Sequence, residues 1–182
     1  MSASQPFESP RYTYEDYCQW EGQWELIQGM PYAMVPAPVK IHQRLALQIG
    51  SALLSELSDC LQCEVLLDED WKVSSDMVLK PDVAVVCGDS NPNYISKTPG
   101  VIFEILSPST AKRDETLKFS VYEEEGVQYY VLVYPNELLV KVYQLKDGQY
   151  AKAAECDTEA FSFDEASCAF KLDFMAIFER FR

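Results

Sequence analysis

The sequence predicts an α/β fold: a mixed β-sheet flanked by α-helices, preceded by an N-terminal helix and a β-hairpin. Three observations lead there. The apolar residues Ile41, Leu45, Ile49, Leu53, Leu54 and Leu57 recur at helical spacing and mark a long amphipathic helix. Val83–Val86 and Val101–Leu106 are short apolar runs rich in β-branched residues, the pattern of fully buried strands. Gln128–Tyr134, Leu138–Leu145 and Tyr150–Ala154 alternate apolar and polar residues, as half-buried strands do. Helical and strand segments that follow one another in this way pack as helices against a sheet.

The remaining elements follow in order. Thr13 is a suitable N-cap for a short first helix over residues 13–20. The segment WELIQGMPYAMV reads as two strands joined by a Gln28-Gly29 turn, because Gly tolerates the positive φ of a tight hairpin. Pro36 and Pro38 end that hairpin. After the long helix come strands at Glu64–Leu67 and Trp71–Val73. Ala111–Glu125 is helical and Gly126 is placed to stop it. Asp147-Gly148 forms a second hairpin turn, and Phe170–Arg182 reads as a strand followed by a helix.

The 182 residues suit one domain, 1–182. A hydrophobic fraction of 48% is that of a globular chain with a sizeable core. No apolar run approaches the roughly 18 residues of a membrane span. The opening MSASQPFESPRY lacks the basic start and apolar stretch of a secretory signal, so a cytoplasmic protein is expected. Six cysteines are then expected to stay reduced. Cys60 and Cys63 form one CxxC, but with no second CxxC and only His42 as histidine, packing thiols are the expectation.

Chemistry concentrates in KPDVAVV, GVIFEILSPST and the helix after them. Asp82 opens one apolar strand, and Glu104 lies inside the other between Phe103 and Ile105. An ionised carboxylate there is costly unless it is paired, hydrogen-bonded or bound to a metal. Two carboxylates on adjacent strands suit one hard cation, Mg²⁺ or Mn²⁺, which takes oxygen ligands and keeps several waters. The plainer readings are a turn residue after Pro81 for Asp82 and an inward ion pair for Glu104. Asp114, Lys118 and Tyr122, four residues apart, share one helix face. Lys118 on that face can serve a phosphate or an attacking water, or simply pair with Asp114. Ser107-Pro108-Ser109-Thr110 links strand to helix, with hydroxyls suited first to capping and second to an anion. Tyr129, Tyr130, Tyr134 and Tyr143 read as core and interface residues rather than a base-stacking platform.

The order of PD, FEILSPST, D-x3-K-x3-Y and GVxxYYVLVYP resembles the Uma-two family of restriction-endonuclease-like proteins, as does WELIQGMPYAMVPAP followed by His42. The resemblance spans roughly residues 12 to 145. It implies a PD-(D/E)XK, restriction-endonuclease-like core, with Asp82 as the PD aspartate and Glu104 as the second acidic metal ligand. The lysine two positions after the Glu in the wider pattern falls on Leu106 here. In the Uma-two type it comes from the following helix, which maps to Lys118. His42, Asp114 and Tyr122 also match family positions, without an assigned step. The implied activity is Mg²⁺-dependent hydrolysis of DNA by a homodimer, with Asp82, Glu104 and Lys118 as catalytic residues. Two alternatives stay open at this point: an inactive binding or scaffold protein on the same fold, and a hydrolase of a small phosphorylated compound.

The net charge of −14 argues at first against a nucleic-acid partner. From Lys72 to Lys118, however, six basic residues balance six acidic ones, and the rest of the chain holds 9 against 23. The acid excess therefore lies outside the segment that carries the proposed site. Weak, strongly salt-sensitive binding to nucleic acid is expected.

Overall fold

The computed structural model describes residues 10–34 and 39–182, so the hairpin end expected at Pro36 and Pro38 lies outside the described residues. Helix α1 (Tyr14–Tyr17) starts at Thr13, whose backbone amide donates to Asp16 Oδ2 at 2.8 Å. Strands β1 (Trp24–Ile27) and β2 (Met30–Ala33) form the expected hairpin, with Gln28 at φ 51° and Gly29 at φ 75°. Helix α2 (Lys40–Glu56) follows, burying Leu45, Ile49 and Leu53. Leu54 of the expected apolar face is instead 62% exposed.

Strands β3 (Cys63–Leu67), β4 (Trp71–Ser74), β5 (Met77–Leu79), β6 (Val83–Cys87) and β7 (Val101–Ile105) come next. The helical segment after them comprises α3 (Ala111–Arg113), a π-helical turn (Asp114–Lys118) and α4 (Phe119–Glu124). Sequence periodicity indicates one regular helix there, and π-turns often mark functional sites. Strands β8 (Tyr129–Tyr134), β9 (Leu139–Lys146) and β10 (Gln149–Cys156) form a meander, and Asp147 and Gly148 take the positive φ angles of its second turn. Strands β11 (Ala160–Phe163) and β12 (Phe170–Asp173) pair with each other, and α5 (Phe174–Phe178) closes the chain with a 3-10 turn. Strands β5 and β11 had no clear sequence signal: one is three residues long, and the other, AFSF, is short and isolated.

The main sheet has six strands in the order β10-β9-β8-β7-β6-β3. Only β7 and β8 run parallel, joined by the α3–α4 crossover, and every other neighbour is antiparallel. A second, four-stranded sheet has the order β2-β1-β5-β4. The mixed α/β architecture expected from the sequence is therefore present.

Strand periodicity divides the core into two layers, since alternate residues face opposite sides of a sheet. Val101, Phe103 and Ile105 pack with Leu45, Ile49 and Leu53 of α2 and with Phe174 and Phe178 of α5. Ile102 and Leu106 pack on the other side with Val121 and Tyr122 of α4 and Trp71 of β4. Glu104 has the parity of the second group. The strand that buries it thus aims it at α4. Tyr129 and Tyr130 are core residues, as expected.

The cysteines depart from the expectation of separate packing thiols. Cys60 meets Cys168 and Cys63 meets Cys87 at sulfur–sulfur bonding distance, while Cys18 is exposed and Cys156 buried, each unpaired. Among the described residues no helix is long and apolar enough to cross a membrane.

Candidate active site

Antiparallel pairing of β6 with β7 sets Val83 opposite Phe103 and Ala84 opposite Ile102. Continued by one residue, that register sets Asp82 opposite Glu104. Side chains so paired are close neighbours on one face of a sheet. The backbone amide of Ile105 donates to Asp82 Oδ2 at 2.6 Å, which fixes that carboxylate at the mouth of β7. His42 Nε2, from the first turn of α2, lies 3.0 Å from the same oxygen. No described residue hydrogen-bonds Asp82 Oδ1.

Glu104 is 2% exposed. Lys118 Nζ donates to its Oε1 at 2.7 Å, and Tyr122 OH donates to the same atom at 2.6 Å. The expected helix face is therefore real, and it is directed at the strand carboxylate. Both donors use Oε1, and no described residue bonds Oε2. Asp114 Oδ1 stands 4.0 Å from Lys118 Nζ, so the simple Asp114–Lys118 pair is only the weakest of the ammonium's contacts with acid.

Glu25, on β1, is the residue that sequence reasoning missed. It is fully buried, accepts the Lys80 backbone amide at 2.9 Å on Oε1, and lies 2.8 Å from Lys118 Nζ. Arg113 Nη2 is 3.3 Å from Glu25 Oε2, without hydrogen-bonding geometry. The signal was a carboxylate between Trp24 and Leu26 in an apolar strand, the same kind that singled out Glu104.

These groups line or back a pocket of about 320 Å³ whose wall includes His42, Asp68, Asp82, Glu104, Asp114 and Lys118. Ser107 and Thr110 also line it, and they bond each other at 3.1 Å rather than capping the helix with a side chain. Four of the five buried polar or charged side chains among the described residues belong to this cluster: Glu25, Glu104, Asp114 and Lys118.

The electrostatics follow from the count of charges. Burial raises the Glu104 pKa well above the usual carboxylate range; Lys118 pulls it down, and Asp82, Asp114 and Glu25 push it further up. Asp114 is raised for the same first reason, burial. Burial works against the Lys118 ammonium, but Glu104, Glu25 and Asp114 outweigh it and hold the charged form firmly. Burial likewise opposes the His42 imidazolium, and Asp82, by hydrogen bond and charge, raises its pKa nonetheless. Tyr122, buried beside Glu104, is held as a phenol and acts here as a donor.

The donor set fits a hard divalent cation. The pocket wall carries four carboxylates, Asp68, Asp82, Glu104 and Asp114, against the fixed charges of Arg113 and Lys118. Asp82 and Glu104 each hold one oxygen in the protein's own bonds and leave one without a described partner. Among the described residues no three acidic or imidazole ligand atoms of this pocket converge within 4.8 Å.

The whole architecture is shared with a solved structure, a "putative nuclease belonging to DUF820" from Anabaena variabilis. The TM-score is 0.73 at 19% identity, covering 92% of this chain and 97% of that one. The uncharacterized protein slr1290 of Synechocystis sp. is 30% identical over 156 residues, 80% of each chain. The family model Uma2, described as "Putative restriction endonuclease", matches residues 13–166, which contain every residue of the site. With the match extending from α1 through β11, the chain belongs to the Uma2 family.

Proposed function

We propose that this protein is a Mg²⁺- or Mn²⁺-dependent endonuclease that hydrolyses phosphodiester bonds of DNA. Asp82 and Glu104 are its metal ligands, and Lys118 is its catalytic cation. One observation carries the reading: Asp82, just before β6, and Glu104, in β7, line one pocket in which acid exceeds base, and each keeps one oxygen without a described partner. A bound divalent cation would polarise the phosphodiester and lower the pKa of a water.

The chain's own residues do the rest. His42 and the Ile105 amide orient the Asp82 carboxylate. Tyr122 and Lys118 orient Glu104, and Glu25 holds Lys118 from behind. The third contact of the ammonium, to Lys80 O, is long at 3.5 Å. That proton is the one available to a water or a phosphate oxygen, where developing negative charge is stabilised most. In the hydrolysis the water oxygen forms a bond to phosphorus as it releases a proton to solvent, the bond from phosphorus to the departing ester oxygen breaks, and that oxygen takes up a proton from solvent as it leaves.

One observation favours the scaffold reading: Glu104 already has a protein cation as its partner. Supercoiled plasmid incubated with Mg²⁺ or Mn²⁺ separates the two. Wild type is expected to nick it, and Glu104→Ala and Lys118→Ala to lose at least about 100-fold in rate, the size typical of lost electrostatic stabilisation. A folded wild type that neither cuts DNA nor binds either metal would leave the scaffold reading standing.

A further inference from the structure

At the β3 edge of the six-stranded sheet, four cysteines from three separate stretches of chain meet. Cys60 lies in the turn that leaves α2, Cys63 opens β3, Cys87 closes β6, and Cys168 lies between β11 and β12. Cys63 and Cys87 are register partners across β3 and β6. The Cys63 amide donates to Cys60 O at 3.1 Å, which closes the CxxC turn and turns both thiols the same way. Cys168 arrives from 108 residues after Cys60 and receives the Gln62 side-chain amide at 3.7 Å.

We propose that these four thiolates form a structural zinc site, Cys60-Cys63-Cys87-Cys168, independent of the pocket at Asp82 and Glu104. Two disulfides would account for the contacts of Cys60 with Cys168 and of Cys63 with Cys87, but they do not require the two pairs to touch. Here they do: the Cys60 and Cys63 sulfurs are 3.3 Å apart. The sulfurs of Cys60, Cys63 and Cys168 all lie within 4.8 Å of one another, and Cys87 touches Cys63. Tetrahedral zinc at about 2.3 Å from each sulfur places its ligand atoms about 3.8 Å apart, so the two pairs at bonding distance would open around the ion while the 3.3 Å spacing of Cys60 and Cys63 would change little. A tetrahedral set of four thiolates selects zinc over Mg²⁺ or Ca²⁺, which take oxygen. The second half of the ligand set was invisible in the sequence because Cys87 and Cys168 stand far apart in it and in no recognisable motif. The site would pin edge strand β3 and the β11–β12 hairpin to the end of α2. The Gln62 amide would supply the outer hydrogen bond that thiolate ligands commonly receive.

The test is elemental analysis of protein purified under reducing conditions from zinc-supplemented cells. About one zinc per chain is expected. The Cys18→Ser/Cys156→Ser variant should keep it and the Cys63→Ser/Cys168→Ser variant should lose it. Should the ligand variant fail to fold, wild type gives a second readout. Replacement by Co²⁺ should produce the visible d–d absorption of a tetrahedral thiolate complex. Iodoacetamide should label the four cysteines only after a strong chelator is added. Zinc absent from reduced wild type, or intact mass showing four hydrogens lost to two disulfides in freshly reduced and dialysed protein offered zinc, would overturn the proposal.

Discussion

The two faces of the six-stranded sheet are built from the same strands and do opposite things. On the α2 and α5 side, Phe103 is fully buried and packs 6.1 Å from the ring of Phe163 among aliphatic residues. No charged side chain is buried among the described residues of that layer. On the α4 side, the adjacent residue Glu104 is equally buried but faces Lys118, Tyr122 and, behind them, Glu25. The first face is held chiefly by apolar packing, joined by the buried Gln144 Nε2 to Tyr129 OH hydrogen bond. The second concentrates like charges that packing must hold together, which is a poor way to gain stability and a good way to hold a cation.

The largest expected effects put the faces side by side. Phe103→Ala should cost about 3–5 kcal/mol in urea denaturation, the usual range for truncating a buried Phe, and the loss should not vary with pH. Lys118→Ala should cost a similar 3–5 kcal/mol near pH 7, because it strands Glu25 and Glu104 without their ammonium. Its loss should shrink as pH falls and the carboxyls take up protons. Equal, pH-independent losses would erase the distinction between the two faces.

An intermediate effect is expected from metal. Mg²⁺ or Mn²⁺ at ten times its Kd should stabilise wild type by about 1.4 kcal/mol. For a chain of this size that is a rise in Tm of roughly 3–6 °C. Glu104→Gln should abolish the rise, whereas a Phe103 variant should keep it. An unchanged wild-type Tm across a full metal titration would mean that the acid excess on the α4 face does not serve a cation.

The smallest effect has an unusual sign. Glu104 and Asp114 have raised pKa values, so the folded chain binds more protons than the unfolded one between the ordinary carboxylate pKa and the raised value. Stability therefore falls as pH rises through that window. Asp114→Asn should stabilise the metal-free protein at pH 7 in urea denaturation, and the gain should vanish as pH falls to the ordinary carboxylate pKa. The Asp114 backbone carbonyl, which accepts Tyr130 OH, is untouched by this change. Destabilisation at pH 7 would mean that Asp114 does more for Lys118 than its 4.0 Å separation suggests.

Much of this site was legible because its parts are periodic. Glu104 interrupts an apolar strand whose alternation tells which way it faces, and Asp114, Lys118 and Tyr122 repeat at helical spacing. The π-turn was not legible, since hydrophobic spacing does not register one added residue in a short helix. Glu25 was overlooked because it lies in a hairpin whose turn signal was the louder feature, and its partners lie far along the chain, at Lys80 just after β5, Arg113 of α3 and Lys118 of the π-helical turn.

Local patterns in the chain were enough to set the order of the helices and of every strand but β5 and β11, the inward aim of Glu104, the helix face of Lys118 and the charge-balanced stretch around them. All of these depend on neighbours within a few residues. Folding alone established that His42 meets Asp82 across 40 residues, that the Lys80 amide caps Glu25 across 55, and that Cys168 reaches Cys60 across 108. Those pairings follow from strand order and from where connecting loops land, and no local pattern of residues encodes either.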